Sequence, residues 1–161
     1  MKEKYHVFKV FKDPFLFVII MWLVKSIEYF YNLSFIRNGV FPRDISGLQG
    51  VLTSPFIHKN IEHLVNNTLP IVILGGGLCF FYKKNYRQIF LWLFFASGIL
   101  LWGVGRPSYH IGASGVIYSL ASFIFFSGLI SKNPRLSAVS LIVIFIYGSL
   151  FWGLFPTQIE V

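Results

Sequence analysis

Ser114, in the stretch GASG, is flanked by small residues in a way that suits a nucleophile. Gly112, Ala113 and Gly115 surround it at the start of a predicted helix. The first N–H groups of a helix lack intrahelical partners, and together with the helix dipole they favour an anion. Acyl transfer needs such a place for the negatively charged oxygen of its tetrahedral intermediate. The stretch is therefore a candidate for acyl-transfer chemistry at Ser114.

The same stretch also fits a role in helix packing. Small residues at helical spacing let membrane helices approach closely, and Ser119 and Ser122 continue the pattern. It differs from the G-x-S-x-G turn of soluble hydrolases, because Val116 stands where that motif has its last glycine and no strand precedes it. For this stretch alone, packing is the more common role and catalysis stays open.

A second polar group, His63 and Asn67, lies in the stretch NIEHLVNN. Residues four apart share one face of a helix, and a pair of side-chain donors can stabilise a developing oxyanion. Asn66 points near the same face, so spacing alone does not choose between the two asparagines. The alternative role is structural, with His63 and Asn67 linking their helix to a neighbour or to a loop.

The composition indicates that these residues lie in a membrane protein. The 161 residues are 55% hydrophobic and 12% charged, with a mean hydropathy of +0.67. Soluble domains carry about 25% charged residues and cannot bury this much apolar surface in a small core. The sequence predicts an all-α membrane bundle and one domain, 1–161, with five transmembrane segments near 14–33, 63–82, 87–104, 111–131 and 136–155.

Lys25 and Glu28 interrupt the first of these segments. They are three residues apart and so lie on one face of a helix, where they can pair with each other or face the bundle interior. The alternative is that this end of the segment lies at the membrane interface.

Basic residues between the segments predict the orientation. Lys and Arg are more frequent on the side that carries the N-terminus, and such an excess marks the cytoplasmic side. Segments 2 and 4 then both begin at the outer face, so His63, Asn67 and Ser114 lie at one depth near outer water. The short basic clusters indicate membrane topology rather than nucleic-acid binding, and they fit a bacterial-type cell membrane. The predicted cytoplasmic residues are Lys2, Lys4, Lys9, Lys12, Lys83, Lys84, Arg87, Lys132 and Arg135, against Arg37, Arg43, Lys59 and Arg106 outside.

Two stretches, HKNIEHLVNN from residue 58 and GASGVIY from residue 112, resemble motifs of the rhomboid intramembrane serine proteases. The resemblance implies that Ser114 is the nucleophile and that His63 and Asn67 stabilise the oxyanion with the Ser114 N–H. It implies that Tyr118 packs on the catalytic imidazole, that His58 supports the outer loop and site, and that the two glycines of GASG are supporting residues. The implied substrates are transmembrane helices cleaved near the outer face. Neither a cofactor nor a metal is implied, and no H-E-x-x-H pattern occurs.

The general base is where the sequence departs from the family pattern. Rhomboids use a histidine near the outer end of a sixth helix as the base. Only five segments are predicted here, so the helix that carries this histidine is not among them. Of the four histidines, His6 falls on the predicted cytoplasmic side, and His58 and His63 have the roles given above. His110 precedes Ser114 by four residues and could reach its hydroxyl, but a loop histidine beside a helix start is more often a cap or an interfacial residue.

We therefore expect the base beyond residue 161, with residues 1–161 being a C-terminally incomplete part of a six-helix protease. The alternative is a catalytically inactive rhomboid-like protein that binds membrane clients. A third reading, a fragment of an unrelated transporter, predicts that His63, Asn67 and Ser114 do not cluster.

Overall fold

A computed structural model describes residues 2–132 and 134–146. This part of the chain consists of helices joined by turns and loops. The described residues contain no strand, and one antiparallel bridge joins Val40 to His110. The predicted all-α class is confirmed. The helices are α1 (Lys2–Tyr31), α2 (Gly50–Thr53), α3 (Ile61–Phe81), α4 (Tyr86–Val104), α5 (Ser114–Ile130) and α6 (Pro134–Ile146).

Among the described residues, three helical stretches are long and apolar enough to cross a membrane: Phe11–Tyr31, Ile61–Phe81 and Tyr86–Val104. They correspond to the first three predicted segments. The fourth segment forms α5, which is apolar but has 17 residues, because the helix begins at Ser114 rather than at residue 111. The fifth begins as α6, and the part of 136–155 beyond residue 146 lies outside the described residues.

The core lies where α3 and α5 pack against each other. Leu64, Ile71, Leu74 and Leu78 recur at three- and four-residue intervals along α3 and are at most 1% exposed, so they form one buried face. The opposing face of α5 carries buried apolar residues at similar intervals. This packing sets the ends of the two helices side by side. The buried residues of α5 are Val116, Ile117, Leu120, Ala121 and Ile124.

Glycines of α3 let α1 approach closely. A Cβ atom at Gly75 would lie 2.9 Å from Cγ of Pro14, and one at Gly76 would lie 2.3 Å from Cε1 of Phe11. Close backbone approach at small residues is the usual way in which membrane helices gain van der Waals contact. The first helix is thereby held along the whole length of α3.

The long connection from α1 to α3 folds over the ends of α4 and α5. The backbones of Val40 and His110 exchange hydrogen bonds of 2.9 and 2.8 Å. Trp102 donates from Nε1 to the Asp44 carbonyl at 2.8 Å. The Asp44 carboxylate accepts from the Ser46 hydroxyl and N–H, and these bonds lower the pKa of Asp44. The connection is therefore bonded both to the end of α4 and to the segment that leads into Ser114.

Candidate active site

The start of α3 is capped in a way that determines the position of His63. Asn60 precedes the helix in an extended conformation, and its side-chain oxygen accepts a hydrogen bond of 2.8 Å from the His63 N–H. Such a cap stabilises a helix start by about 1 kcal/mol, and Glu62 adds a negative charge in the first turn. His63 therefore lies in the first turn of α3, at the same end of the bundle as the start of α5.

The contact between His63 and Gly112 joins the two polar motifs. Gly112 has a φ of +103°, and a Cβ atom there would lie 2.6 Å from both Cε1 and Nε2 of the His63 ring. Only glycine fits both the backbone conformation and the space. The Gly112 N–H donates to the Ser54 carbonyl at 2.8 Å, which fixes the turn. The imidazole thus packs on the chain two residues before Ser114.

Ser114 is the first residue of α5 and is half-buried. It lines a cavity of about 490 Å³ between α4 and α5, together with Gly112, Gly115 and Tyr118. Ala113 provides no side-chain cap. Within the described part of the chain, the Ser114 hydroxyl has no hydrogen-bond partner, and the N–H groups of Ser114 and Gly115 have no acceptor. Donors and hydroxyl alike are therefore available to a ligand in the cavity.

Burial separates the two candidate asparagines of α3. Asn67 is 0% exposed, whereas Asn66 is exposed. The Asn67 amide nitrogen donates to the His63 carbonyl at 2.7 Å, and its Oδ1 is buried with no partner among the described residues. One N–H of the amide remains unused. The face of α3 that carries Asn67 therefore points into the interior of the bundle, whereas Asn66 points away from it.

The predicted site residues are partly brought together. Ser114, Gly112, Gly115 and Tyr118 line one cavity, whereas His63 and Asn67 do not line it. His63 reaches this segment through Gly112, and no hydrogen bond joins its side chain or that of Asn67 to Ser114 in the described structure. Ser119 and Ser122 lie apart, along a separate groove between α4 and α5.

His58 packs behind His63. It is 1% exposed, and its ring centroid lies 5.0 Å from that of His63, with the planes at 67°. Its Nδ1 lies 3.4 Å from the Phe56 carbonyl, and its buried Nε2 has no partner among the described residues. Burial, with the nearby His63 as a smaller cause, lowers the pKa of His58 to about 4. His58 is therefore neutral at neutral pH and supports the His63 ring by packing.

Acidification is expected to destabilise the protein through His58. Its pKa is about 4 in the folded chain and 6.5 without the fold, so the stability it contributes is present above pH 6.5. That stability is lost as the pH falls toward 4, a loss of about 3 kcal/mol. Unfolding measured at several pH values across this window should show a shallower decline for His58→Gln than for the wild type. An unchanged decline would contradict a buried, neutral His58, which faces the charges of His63 and Lys25.

His110 is bonded to its own loop. Its Nε2 lies 3.0 Å from the Arg106 carbonyl and 3.5 Å from the Ser108 hydroxyl. Its backbone is held by the bridge to Val40. His110 lines the same cavity as Ser114, but no hydrogen bond between the two is found in the described residues. The His110 ring therefore stabilises its own loop and does not cap α5, whose N-cap residue is Ala113.

Lys25 and Glu28 are a part of the site whose role the sequence left open. They form an ion pair of 3.0 Å in which Glu28 is 5% exposed, so both expectations, pairing and burial, are confirmed. Lys25 also donates to the carbonyls of His58 at 2.9 Å and Lys59 at 3.1 Å, and Glu28 accepts from the Phe35 N–H at 2.8 Å. The pair therefore anchors the loop that leads into His63. The spacing of Lys25 and Glu28 predicts their pairing, but no spacing rule predicts the bonds from Lys25 to the distant His58 and Lys59 carbonyls.

These features define a class of protein: an integral membrane helical bundle with a serine, a histidine and an asparagine gathered at one end. A family model described as the Rhomboid domain matches residues 46–161, most of the chain. The chain belongs to the rhomboid family, as the motifs around His63 and Ser114 indicate. The unrelated-transporter reading is thereby excluded.

The relatives found among curated proteins are mycobacterial and are named only as uncharacterized. One from Mycobacterium tuberculosis is 31% identical over 151 residues, which cover 87% of this chain and 61% of the relative. One from Mycobacterium leprae is 29% identical over 146 residues, covering 87% of this chain and 58% of the relative. The chain thus spans about three fifths of the length of these relatives. No solved structure matches it significantly.

Proposed function

We propose that this chain belongs to an intramembrane serine endopeptidase that cleaves transmembrane helices of membrane proteins near the outer face. The observation that carries the proposal is the packing of the His63 ring on Gly112, two residues before Ser114. That contact joins a helix start with free N–H donors to a second helix that carries the half-buried His63 and the buried Asn67. An oxyanion site requires such convergence of donors around one reacting atom.

In the proposed reaction, the Ser114 oxygen attacks the carbonyl carbon of a substrate peptide bond while its proton passes to a general base. The carbonyl oxygen becomes an anion, which the Ser114 N–H and the side chains of His63 and Asn67 stabilise. Collapse of the intermediate breaks the C–N bond, and the base returns the proton to the leaving amine. Water then hydrolyses the serine ester by the same steps.

The general base is assigned to a histidine outside residues 1–161, on the sixth helix that the rhomboid pattern implies. His58 and His63 pack on each other, and the His110 ring lies within hydrogen-bond distance of the Arg106 carbonyl, so these three histidines have other roles in the proposal. A serine hydroxyl without a base is a weak nucleophile. The active form is therefore the full natural protein.

The proposed orientation has the N-terminus in the cytoplasm of a bacterial-type cell and the Ser114 end of the bundle toward the outer face. The distribution of Lys and Arg between the helices supports it. The cavity beside Ser114 supplies a route by which water can enter from that end. The proposed partners are the lipid bilayer and transmembrane protein substrates.

A cleavage assay with the full natural protein in liposomes tests this function. Ser114→Ala is expected to reduce cleavage of a panel of transmembrane-helix reporters to background, a loss on the order of 10⁴-fold or more. Ser122→Ala, on the exposed face of the same helix, is the matched control and should retain activity. Cleavage that persists in Ser114→Ala would refute the assignment. A wild type that binds reporters without cleaving any would indicate the inactive, client-binding alternative.

A further inference from the structure

A second cavity lies at the end of α3 opposite His63. Its volume is about 250 Å³, and α1, α3 and α4 form its walls. Most of the lining is apolar, and Leu91, which is 52% exposed, lies at its edge on the outer surface of the bundle. An apolar cavity that opens on the side of a membrane helix faces hydrocarbon chains. The principal apolar lining residues are Pro14, Phe17, Ile71, Leu78, Cys79 and Phe90.

Charged and polar groups stand at one end of this cavity. Arg87 donates from Nε to Asp13 Oδ2 at 2.9 Å and to the Tyr86 hydroxyl at 3.0 Å, and Tyr86 donates to the same carboxylate at 2.8 Å. A second guanidinium nitrogen, Nη2, also lies 3.5 Å from Asp13 Oδ1, so Asp13 occupies the Nε–Nη2 edge of the guanidinium. The Arg87 side chain is nonetheless 70% exposed, so the rest of its N–H fork faces outward. A guanidinium oriented in this way matches the geometry of a phosphate group.

The surroundings of Arg87 are positively charged. Asp13 and Arg87 neutralise each other. Lys12 is exposed and adjoins Asp13, so the three residues together carry one net positive charge. Lys83 and Lys84 are exposed in the turn between α3 and α4, and the Lys83 ammonium lies 5.7 Å from the Phe80 ring centroid. A cluster of this kind at the end of membrane helices attracts anionic headgroups.

We propose that this cavity binds an acyl chain of an anionic phospholipid, with the lipid phosphate on the outward edge of the Arg87 guanidinium. The apolar walls accept the chain, and the cation excess at the mouth favours a net negative headgroup over a zwitterionic one. The cavity, about 250 Å³ in volume, is lined by residues of three helices of this chain, α1, α3 and α4. The proposal is independent of proteolysis, because the cavity shares no lining residue with that of Ser114.

Native mass spectrometry of the full natural protein tests the proposal, with equal amounts of phosphatidylglycerol and phosphatidylcholine of identical acyl chains. The wild type is expected to retain phosphatidylglycerol several-fold more than phosphatidylcholine. Arg87→Gln should lower that preference several-fold, whereas the control Lys132→Gln, an exposed cation in another turn, should not. Cys79→Phe, which fills the cavity, should lower retention of both lipids.

Four outcomes would overturn the proposal. Equal retention of the two lipids by the wild type would remove the headgroup preference, and equal effects of Arg87→Gln and Lys132→Gln would remove the role of Arg87. Unchanged retention by folded Cys79→Phe would show that no acyl chain enters the cavity. If Cys79→Phe does not fold, Leu91→Trp at the exposed edge takes its place, with the same expectation. Displacement by free glycerol phosphate would indicate a phosphate site without lipid and would also overturn it.

Discussion

Asn67→Ala is expected to lower the rate of substrate cleavage by about 10²–10³-fold, the usual cost of removing one oxyanion donor. Asn67 is fully buried at the first turns of α3, and its amide has one N–H that no described group accepts. In the proposed reaction, its loss removes a donor whose contact strengthens only when the negative charge develops. The effect should therefore fall on kcat more than on KM.

The neighbouring Asn66 provides the matched control. It has the same side chain one residue earlier but is exposed, so Asn66→Ala should leave the cleavage rate unchanged within about a factor of two. The rates are measured with the full natural protein in liposomes, at several substrate densities so that kcat and KM are separated. Equal effects of the two substitutions would contradict the role given to Asn67, as would an Asn67→Ala change confined to KM.

Glu28→Ala is expected to destabilise the folded protein by about 3–5 kcal/mol, the usual cost of breaking a buried ion pair. The substitution leaves the partly buried Lys25 ammonium without its carboxylate and deprives the Phe35 N–H of its acceptor. Lys25 also holds the His58 and Lys59 carbonyls, so its displacement frees the loop before His63. Unfolding by sodium dodecyl sulfate in mixed micelles, followed by circular dichroism, measures the change.

The Asp13–Arg87 pair is the control for this measurement. Its side chains are 32% and 70% exposed, and exposed ion pairs contribute about 0–1 kcal/mol. Asp13→Ala should therefore cost far less than Glu28→Ala. Similar losses in the two variants would show that Glu28 is not a buried anchor. A large loss for Asp13→Ala alone would reverse the assignment of the two pairs.

The helical elements and the polar face of α3 could be predicted from the sequence, because both depend on local periodicity. Apolar runs define helices that span a bilayer, and His63 and Asn67 at a four-residue spacing share one face. The sequence could not choose Asn67 over Asn66 by spacing, because both lie near that face. Burial in the bundle interior makes the choice, and burial depends on how helices distant in the chain pack together.

The contacts made by the loops could not be predicted in the same way. The bond from the Gly112 N–H to the Ser54 carbonyl and the bonds from Lys25 to the His58 and Lys59 carbonyls join segments that are far apart in the chain. Backbone carbonyls carry no residue-type signal, so no motif marks them. The positive φ of Gly112 is a partial exception, since a glycine before a helix start is a reason to expect an unusual turn.

Covalent labelling of the full natural protein with a serine-reactive fluorophosphonate tests the assignment of Ser114 most directly, since it needs no knowledge of the substrate. Mass spectrometry of the labelled peptides should place the adduct on Ser114. Ser114→Ala should lose the label, and Ser122→Ala should keep it. Equal labelling of Ser114→Ala and the wild type, or an adduct on another serine, would contradict Ser114 as the nucleophile of this rhomboid-family protein.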